Sequence, residues 1–452
     1  MMRDVTLLTR EQAKAITDRV LGFATADETR VNLSSGWSGN TRFAGGEITT
    51  AGGTTDTTVT VTSTVGKRRA SASTNVLDDA GLKRTVELAE RLARLAPEDP
   101  EFLPALGPQE YTTVNAYAPA TAGLTPEARS LAVEKVFGGV RAAASAASVS
   151  PDALFIGGFL EAAAGVASAV ATSKGLFAYH PATSVSLSTT VRTPDGTGSG
   201  YYAGGAVDWA KLDAKEIGRR AAQKAIASRN PQAIEPGRYT VILEPRAVAD
   251  FIPGIMQGFN ARTADEGRSP FSKPGGGTRV GEKIADERVT LLSNPADPDL
   301  LTTPFDGEGL PNRGATWIEN GVLKQLAYSR WWAQQKGVQP TGGGGIKMVG
   351  TDQSLEDLIA GTERGILVTR FWYIRSLDQR TVMLTGLTRD GTFLVERGKI
   401  TRPLKNFRWN DSPLLALNRI EAIGRTERVD TGMVVPSLKI RDFNFTSLSD
   451  AV

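Results

Sequence analysis

Helical and extended patterns are segregated along this chain of 452 residues instead of alternating with one another. Thr9-Arg10-Glu11-Gln12 fits a capping box and precedes apolar residues at helical spacing, which predicts a helix over residues 10–24. The next segment is rich in Thr, Val and Ser, and residues 57–62 alternate as half-buried strands do. Further helices are predicted over 77–95 and 125–147. Segregation of this kind favours an α+β fold over a strictly alternating α/β fold.

The second half of the chain is dense in turn signals. They are Asp306-Gly307, Asn320-Gly321, Asp390-Gly391 and Arg397-Gly398. Short strands between such dipeptides predict a mostly antiparallel, curled sheet or a barrel-like domain. Short helices are expected around 245–256 and 354–361. A Pro-rich stretch at 97–119 and the Pro236-Gly237 pair divide the chain. We therefore predict an N-terminal α+β domain (1–110), a central α+β segment (111–233) and a C-terminal β-rich domain (234–452).

Charge and composition narrow the function classes. Lys and Arg number 52 against 49 Asp and Glu, without a long basic run, which argues against a dedicated nucleic-acid binder. The absence of Cys excludes disulfides and thiolate chemistry. No apolar run approaches the roughly 20 residues of a membrane helix, and the N-terminus lacks a signal-peptide pattern. The sequence predicts a soluble cytoplasmic protein.

Eight segments occur in an order and at spacings that resemble one known family. They are RFAGGEITT (42–50), GKRRASASTN with LDDAGLKRTVELAERLARLAPEDPEF (77–102), GFN (258–260), GEKIA (281–285), FDGEGLPNRGATWIENGVLKQ (305–325), PTGG (340–343), VERGKITRPLKNF (395–407) and VDTGMVVPSLKI (429–440). Each segment alone is weak evidence for the family, but together the eight span nearly the whole chain. The chain resembles the TldD/PmbA family, the "modulator of DNA gyrase" peptidases.

The zinc motif of that family is degenerate in this chain. The resemblance implies a His-Glu-x-x-x-His helix and a C-terminal Cys, which leave zinc an open position for water. The matching positions hold Pro245, Arg246 and Asp250, and the Cys position falls near residues 431–433 of a chain without Cys. The pattern is similar to the non-metal PmbA/TldE-type subtype. It implies no metal, no cofactor and no catalytic residue, and whether the chain is an enzyme stays open.

Several other residues have both a functional and a structural interpretation. The resemblance implies that a set of motif positions lines a cavity: Gly258, Asn260, Arg262, Glu282 and Glu308. His180, the single His, suits a proton shuttle, although a structural role is more common. The glycines at 342–345 favour either close approach to a ligand or a flexible loop. The acidic pairs at 265–266 and 286–287 could bind a metal, but adjacent carboxylates usually point apart.

Three hypotheses of function follow. In the first, the resemblance implies a subunit that dimerises with a zinc-bearing TldD-type paralogue and encloses unfolded peptides, which strand addition would hold. The second is a metal-free hydrolase using Ser, Thr or a carboxylate, for which no nucleophile–base set is visible. The third is a homodimeric peptide-binding protein. A dimer is expected through the C-terminal aromatic residues: Trp317, Trp331, Trp332, Phe371, Trp372, Tyr373 and Trp409.

Overall fold

The computed structural model describes residues 7–430 and 432–450. The described helices follow in chain order. They are α1 (Arg10–Phe23), α2 (Asp79–Leu95), α3 (Pro119–Ala122), α4 (Pro126–Ala146), α5 (Ala214–Ala227), α6 (Pro245–Phe251), α7 (Pro253–Met256), α8 (Ala261–Asp265), α9 (Arg330–Lys336), α10 (Leu355–Ala360) and α11 (Pro413–Ala416).

The strands form two sheets. They are β1 (Glu28–Ala44), β2 (Glu47–Val65), β3 (Arg68–Thr74), β4 (Phe155–Thr172), β5 (Phe177–Arg192), β6 (Ser199–Ala206), β7 (Gly237–Leu243), β8 (Leu291–Ser293), β9 (Ala315–Glu319), β10 (Val322–Leu323), β11 (Ile346–Met348), β12 (Arg364–Val368), β13 (Phe371–Asp378), β14 (Met383–Thr388), β15 (Thr392–Glu396), β16 (Lys399–Pro403), β17 (Asn406–Asp411), β18 (Ile420–Asp430) and β19 (Met433–Ser449).

The first sheet is antiparallel, with strand order β3-β2-β1-β4-β5-β6. It joins strands from the predicted N-terminal and central segments, and its longest strands run for 16 to 19 residues. Alternation places Val31 and Leu33 on one face, where they pack with α1 and α2. Further along the sheet, Phe43 and Leu160 pack with α4 and α5.

The second sheet has 13 strands and is built around β19, which pairs with β7, β11, β17 and β18. Most of its pairs are antiparallel, whereas β7 with β12 and β11 with β19 are parallel. Within the described chain neither sheet closes into a barrel. The α+β class with a mostly antiparallel second half is confirmed, and of the two predicted shapes the open sheet is the one found.

Local signals placed several helices correctly. Thr9 caps α1 through the predicted capping box, and Ser354 caps α10 in the same way. The expected helices over 10–24, 77–95 and 125–147 appear as α1, α2 and α4. The helix expected around 245–256 is two short helices, because Pro253 starts a new one. None of the helices in the described ranges is long and apolar enough to cross a membrane.

The aromatic residues of the second half divide between the core and the surface. Trp317, Phe371 and Trp409 are buried in the core of the second sheet, where Phe371 and Trp409 lie 4.7 Å apart between ring centroids. The expectation that these three rings serve an interface is therefore wrong, because the curled sheet has room for them. Trp372 and Tyr373 remain 42% and 60% exposed on β13.

Contacts of buried charged and hydroxyl groups hold the two sheets together. The Ser199 hydroxyl on β6 donates to Asp390 at 2.7 Å, and Asp390 is 1% exposed. Arg370 donates to the other Asp390 oxygen at 2.8 Å and lies 3.8 Å from the centroid of the Tyr201 ring. A second connection is formed by Asn32, whose amide donates to the Gly307 oxygen at 2.8 Å.

Candidate functional site

The helix with the degenerate motif, α6, follows β7 directly. Glu244 is its N-cap and Pro245 begins the first turn, where a missing N–H costs nothing. Arg246 follows Pro245, and its Nη2 lies 2.5 Å from Oδ1 of Asp250, one turn later. Asp250 Oδ2 also accepts a hydrogen bond from the Phe371 N–H at 3.2 Å. The motif positions therefore form an internal ion pair.

Zinc does not fit these residues. Pro245 offers no donor atom, and the Arg246 guanidinium already places a fixed positive charge on Asp250. Burial raises the pKa of Asp250, while the Arg246 charge opposes that rise. Within residues 7–430 and 432–450, no group of three or more His, Cys, Asp or Glu could hold a metal. Thr431, near the expected Cys position, lies outside the described residues.

A cavity of about 300 Å³ opens beside α6 and is lined by charged side chains that pair with one another. Lys224 Nζ lies 2.5 Å from Glu244 Oε2, and Arg220 donates to Tyr202 at 3.0 Å. Hydrogen bonds from Arg219 hold the pKa of Glu216 at about 2, so that carboxylate stays ionised. Nothing among these described residues forms a nucleophile–base pair, so the cavity suits binding more than covalent chemistry.

A larger cleft, of about 770 Å³, lies between the two sheets. Its described lining residues are Arg69, Asp99, Glu101, Leu103, Asn260, Thr303, Asp306, Glu308, Leu310, Asn312, Ala327, Tyr328, Ser329, Arg330, Trp331, Thr341, Gly342, Gly343 and Gly344. Arg330 lies 2.7 Å from Glu308, and Arg30 lies 3.6 Å from the same carboxylate. Tyr111 donates to the Gly309 oxygen at 2.8 Å and fixes this loop to the first sheet.

The structure brings some of the predicted cavity positions together. Asn260 and Glu308 line the cleft, and Asn260 also caps α8. Arg262 lies at its rim, 2.7 Å from Glu101 and over the Trp331 ring. Of the glycines at 342–345, Gly342, Gly343 and Gly344 border the same space.

Two predicted positions have other surroundings. Gly258 is buried, and a Cβ there would lie 2.7 Å from Pro270 Cγ, so its role is close packing. Glu282 pairs with Arg279 at 3.0 Å and with Lys273 at 3.1 Å, outside the residues that line the cleft.

His180 lies on β5 beneath the loop that carries Glu308. It is 3% exposed, and its ring centroid lies 6.5 Å from that of Phe305. Burial lowers the pKa of His180, against an opposing hydrogen bond with the Thr302 backbone. No described group bonds its Nε2. A neutral, buried imidazole fits the structural role better than the proton shuttle.

The acidic pairs considered as metal ligands belong to ion pairs instead. Asp265 accepts from the Trp332 indole at 2.8 Å and pairs with Lys336, while Asp286 pairs with Arg288. Arg30 and Arg330, which hold Glu308 in the cleft, could not be identified from the sequence. They are separated by 300 residues and meet only through the fold.

Comparisons with known proteins agree with this fold. The chain is 26% identical over 241 residues to a "Metalloprotease" from Methanothermobacter thermautotrophicus, covering 49% of this chain and 50% of that protein. It is 25% identical over 220 residues to a "Zinc metalloprotease TldD homolog" from Saccharolobus solfataricus, covering 43% and 46%. The matches thus span about half the length of these curated relatives.

A solved structure and three family models extend the likeness over the whole fold. TldE from Thermococcus kodakarensis superposes with a TM-score of 0.82 at 20% identity, covering 96% of this chain and 99% of that one, which shows a shared fold. The models of PmbA/TldA metallopeptidase domain 1, central domain and C-terminal domain match residues 30–93, 128–229 and 236–447. The chain therefore belongs to the PmbA/TldA metallopeptidase family.

Proposed function

We propose that this chain is a non-metal subunit of a TldD/PmbA-type peptidase assembly, which binds and encloses unfolded peptides for cleavage by a zinc-bearing paralogue in the cytoplasm. The observation that carries the proposal is the 2.5 Å ion pair between Arg246 and Asp250. It places a guanidinium in the helix where family relatives with a zinc motif would hold a divalent cation. In this proposal the Arg246 guanidinium supplies the positive charge at this position, and unlike a zinc ion it does not activate a water molecule.

The cleft between the sheets supports the binding part of the proposal. Its volume of about 770 Å³ and its mixed lining of Arg, Asp, Glu and Gly suit the main chain of an extended peptide. The Trp331 ring at the border adds an apolar contact surface. A cleft lined by both charged residues and glycines would bind peptides through their main chain. It would therefore accept unfolded peptides of many different sequences.

A homodimeric peptide-binding protein is the second candidate. The exposed Trp372 and Tyr373 rings on β13 favour association, and they do so equally for a second copy or a paralogue. A metal-free hydrolase has less support, because the buried Ser199 hydroxyl already donates to Asp390 and no imidazole accompanies them.

The test combines mass and activity measurements. The purified chain, a zinc-type paralogue and their mixture are examined by light scattering and with an unfolded peptide substrate. We expect a mixed complex, and we expect hydrolysis only when the paralogue carries zinc. A matched variant, Glu308→Gln, should leave the complex intact and weaken peptide binding. Absence of both a mixed complex and peptide binding by the chain alone would refute the proposal, whereas peptide binding by a homodimer alone would favour the second candidate.

A further inference from the structure

The outer edge of the first sheet is open over half of β2. Residues 59–65 of β2 pair with β3, but residues 47–58 pair with β1 alone among the described residues. At about 3.3 Å per residue this open edge is about 40 Å long. Its backbone N–H and C=O groups on that side are available to another strand.

The sequence of this edge lacks the usual protection against pairing. Proteins blunt exposed edges with Lys, Pro or inward-pointing charges. Residues 47–58 read EITTAGGTTDTT, with no Pro, Lys or Arg, and with only Glu47 and Asp56 charged. The threonines favour extended backbone. The register with β1 shifts at Thr49, and beyond this bulge residues 50–58 pair with β1 without a break. The edge over residues 50–58 is thus regular and carries little protection against pairing with another strand.

A groove of about 410 Å³ continues from this edge across the sheet. It begins at Thr54, Asp56 and Thr58 on β2 and crosses β1, β4 and β5 to reach Leu301. Its floor lies where the register between β1 and β4 shifts. There a Cβ at Gly36 would lie 2.3 Å from the Ala164 oxygen, and one at Gly165 would lie 2.0 Å from the Ser35 oxygen. The two glycines let the backbones of β1 and β4 approach closely at this bulge.

The residues that line the groove are nearly all uncharged. Hydroxyl groups dominate its polar lining, and they can both donate and accept hydrogen bonds. Among its described lining residues Asp56 is the single ionisable one. It is exposed, it accepts from the Thr58 hydroxyl at 3.0 Å, and no Lys or Arg within 4 Å pairs with it in the described chain. Its carboxylate is therefore free for a cation from outside.

We propose that the open edge of β2 and this groove bind an extended, cationic peptide segment. The peptide main chain adds a strand to residues 47–58, and a Lys, Arg or terminal ammonium group pairs with Asp56. A second copy of the chain fits less well, because its own edge carries Glu47 and Asp56 and no Lys or Arg. Two acidic edges would then face each other. This inference rests on the proposed function and names the class of peptide and the place where it binds.

The experiment uses the full chain and three labelled unfolded peptides of about 12 residues, the length of the open edge. They differ only in carrying Lys, Glu or neutral residues, and binding is followed by fluorescence anisotropy. We expect the Lys peptide to bind most tightly, with Asp56→Asn weakening it about threefold and Asp56→Lys about tenfold. Glu87→Gln, which neutralises an exposed carboxylate on α2 outside both the open edge and the groove, is the control and should leave binding unchanged.

Hydrogen–deuterium exchange then localises the peptide, which should protect amides within residues 47–58. Tight binding of the Lys peptide without that protection, or without an effect of Asp56→Lys, would overturn the inference while leaving the proposed function standing. Failure of the wild-type chain to bind any of the peptides would count against both. Concentration-dependent protection of the edge without peptide, together with self-association that Asp56→Lys abolishes, would identify a second copy as the occupant and overturn the cationic peptide.

Discussion

Arg246 and Asp250 lie one turn apart on α6, with Arg246 Nη2 2.5 Å from Asp250 Oδ1. The same carboxylate accepts the Phe371 N–H at 3.2 Å, so it also ties α6 to the start of β13. The ion pair satisfies a carboxylate that burial alone would make costly. The degenerate motif positions thus contribute to the stability of α6 through this ion pair.

Removing the guanidinium of Arg246 should destabilise the chain more than removing that of Arg141, which belongs to an exposed ion pair. We expect Arg246→Ala to lower the free energy of unfolding by about 1–3 kcal/mol, because it leaves the Asp250 carboxylate unpaired. Arg141→Ala, which breaks an exposed pair with Glu134, should cost less than about 0.5 kcal/mol. Urea unfolding gives both values, and equal losses for the two variants would contradict the importance of the buried carboxylate.

The purified chain should retain no stoichiometric zinc and should not hydrolyse peptides alone. The reason is the donor set: Pro245 cannot coordinate, and Arg246 repels a cation. Elemental analysis after equilibration with zinc and dialysis measures the metal, and a labelled peptide measures activity. A zinc-type paralogue treated in the same way is the positive control. One zinc per chain together with chelator-sensitive proteolysis would show that this interpretation is wrong.

His180 should make the chain less stable in acid. Burial lowers its pKa in the folded state, so the unfolded chain binds the proton more readily. Its contribution to stability is therefore present above the unfolded pKa of about 6.5 and is lost as the pH falls below it. Urea unfolding at several pH values should show a smaller acid loss for His180→Leu than for the wild type. Since His180 is the single His, its ring resonance can be titrated directly; a pKa at or above 6.5 would contradict the prediction.

The stabilising contribution of Tyr111 should be lost at high pH. Burial, with the nearby Asp306 charge, raises the pKa of Tyr111 to about 12. The unfolded chain then loses its phenol proton first, so the stability contributed by Tyr111 is complete below about pH 10 and is lost as the pH rises through 12. Tyr111→Phe should be less sensitive over this range, although it loses the bond to Gly309. Tyr117→Phe, on an exposed ring, is the control, and identical pH profiles for wild type and Tyr111→Phe would contradict the prediction.

The chain should form a dimer, with itself or with a zinc-type paralogue, through the exposed rings of β13. Trp372→Ser with Tyr373→Ser should weaken association about tenfold or more, because exposed aromatics that become buried dominate interface energies. Leu95→Ser, which removes a more exposed apolar side chain on α2, is the matched control. Light scattering at micromolar concentration measures the mass. A monomer both alone and in the mixture would exclude the association.

Much of the local structure could be predicted because it depends on neighbours in the chain. The Thr9 capping box starts α1, and Ser354 starts α10, since a hydroxyl three residues before an N–H needs no distant partner. The degenerate motif was visible for the same reason, because Pro245, Arg246 and Asp250 lie within one short segment. The family resemblance was equally a property of residues in order, and it was confirmed by the domain models.

The tertiary structure decided what depends on distant residues meeting. Arg30, Arg330 and Glu308 form one cluster only because the first sheet docks on the loop of the second, and no spacing in the sequence encodes that distance. The burial of Trp317 and Trp409 depended on how much room the curled sheet encloses, which composition does not give. The open edge of β2 exists because β3 is shorter than its neighbour, a fact of strand pairing. Local patterns therefore determined the helices and the motif, whereas the pairing of strands and the docking of sheets determined the cleft, the groove and the surfaces left to a partner.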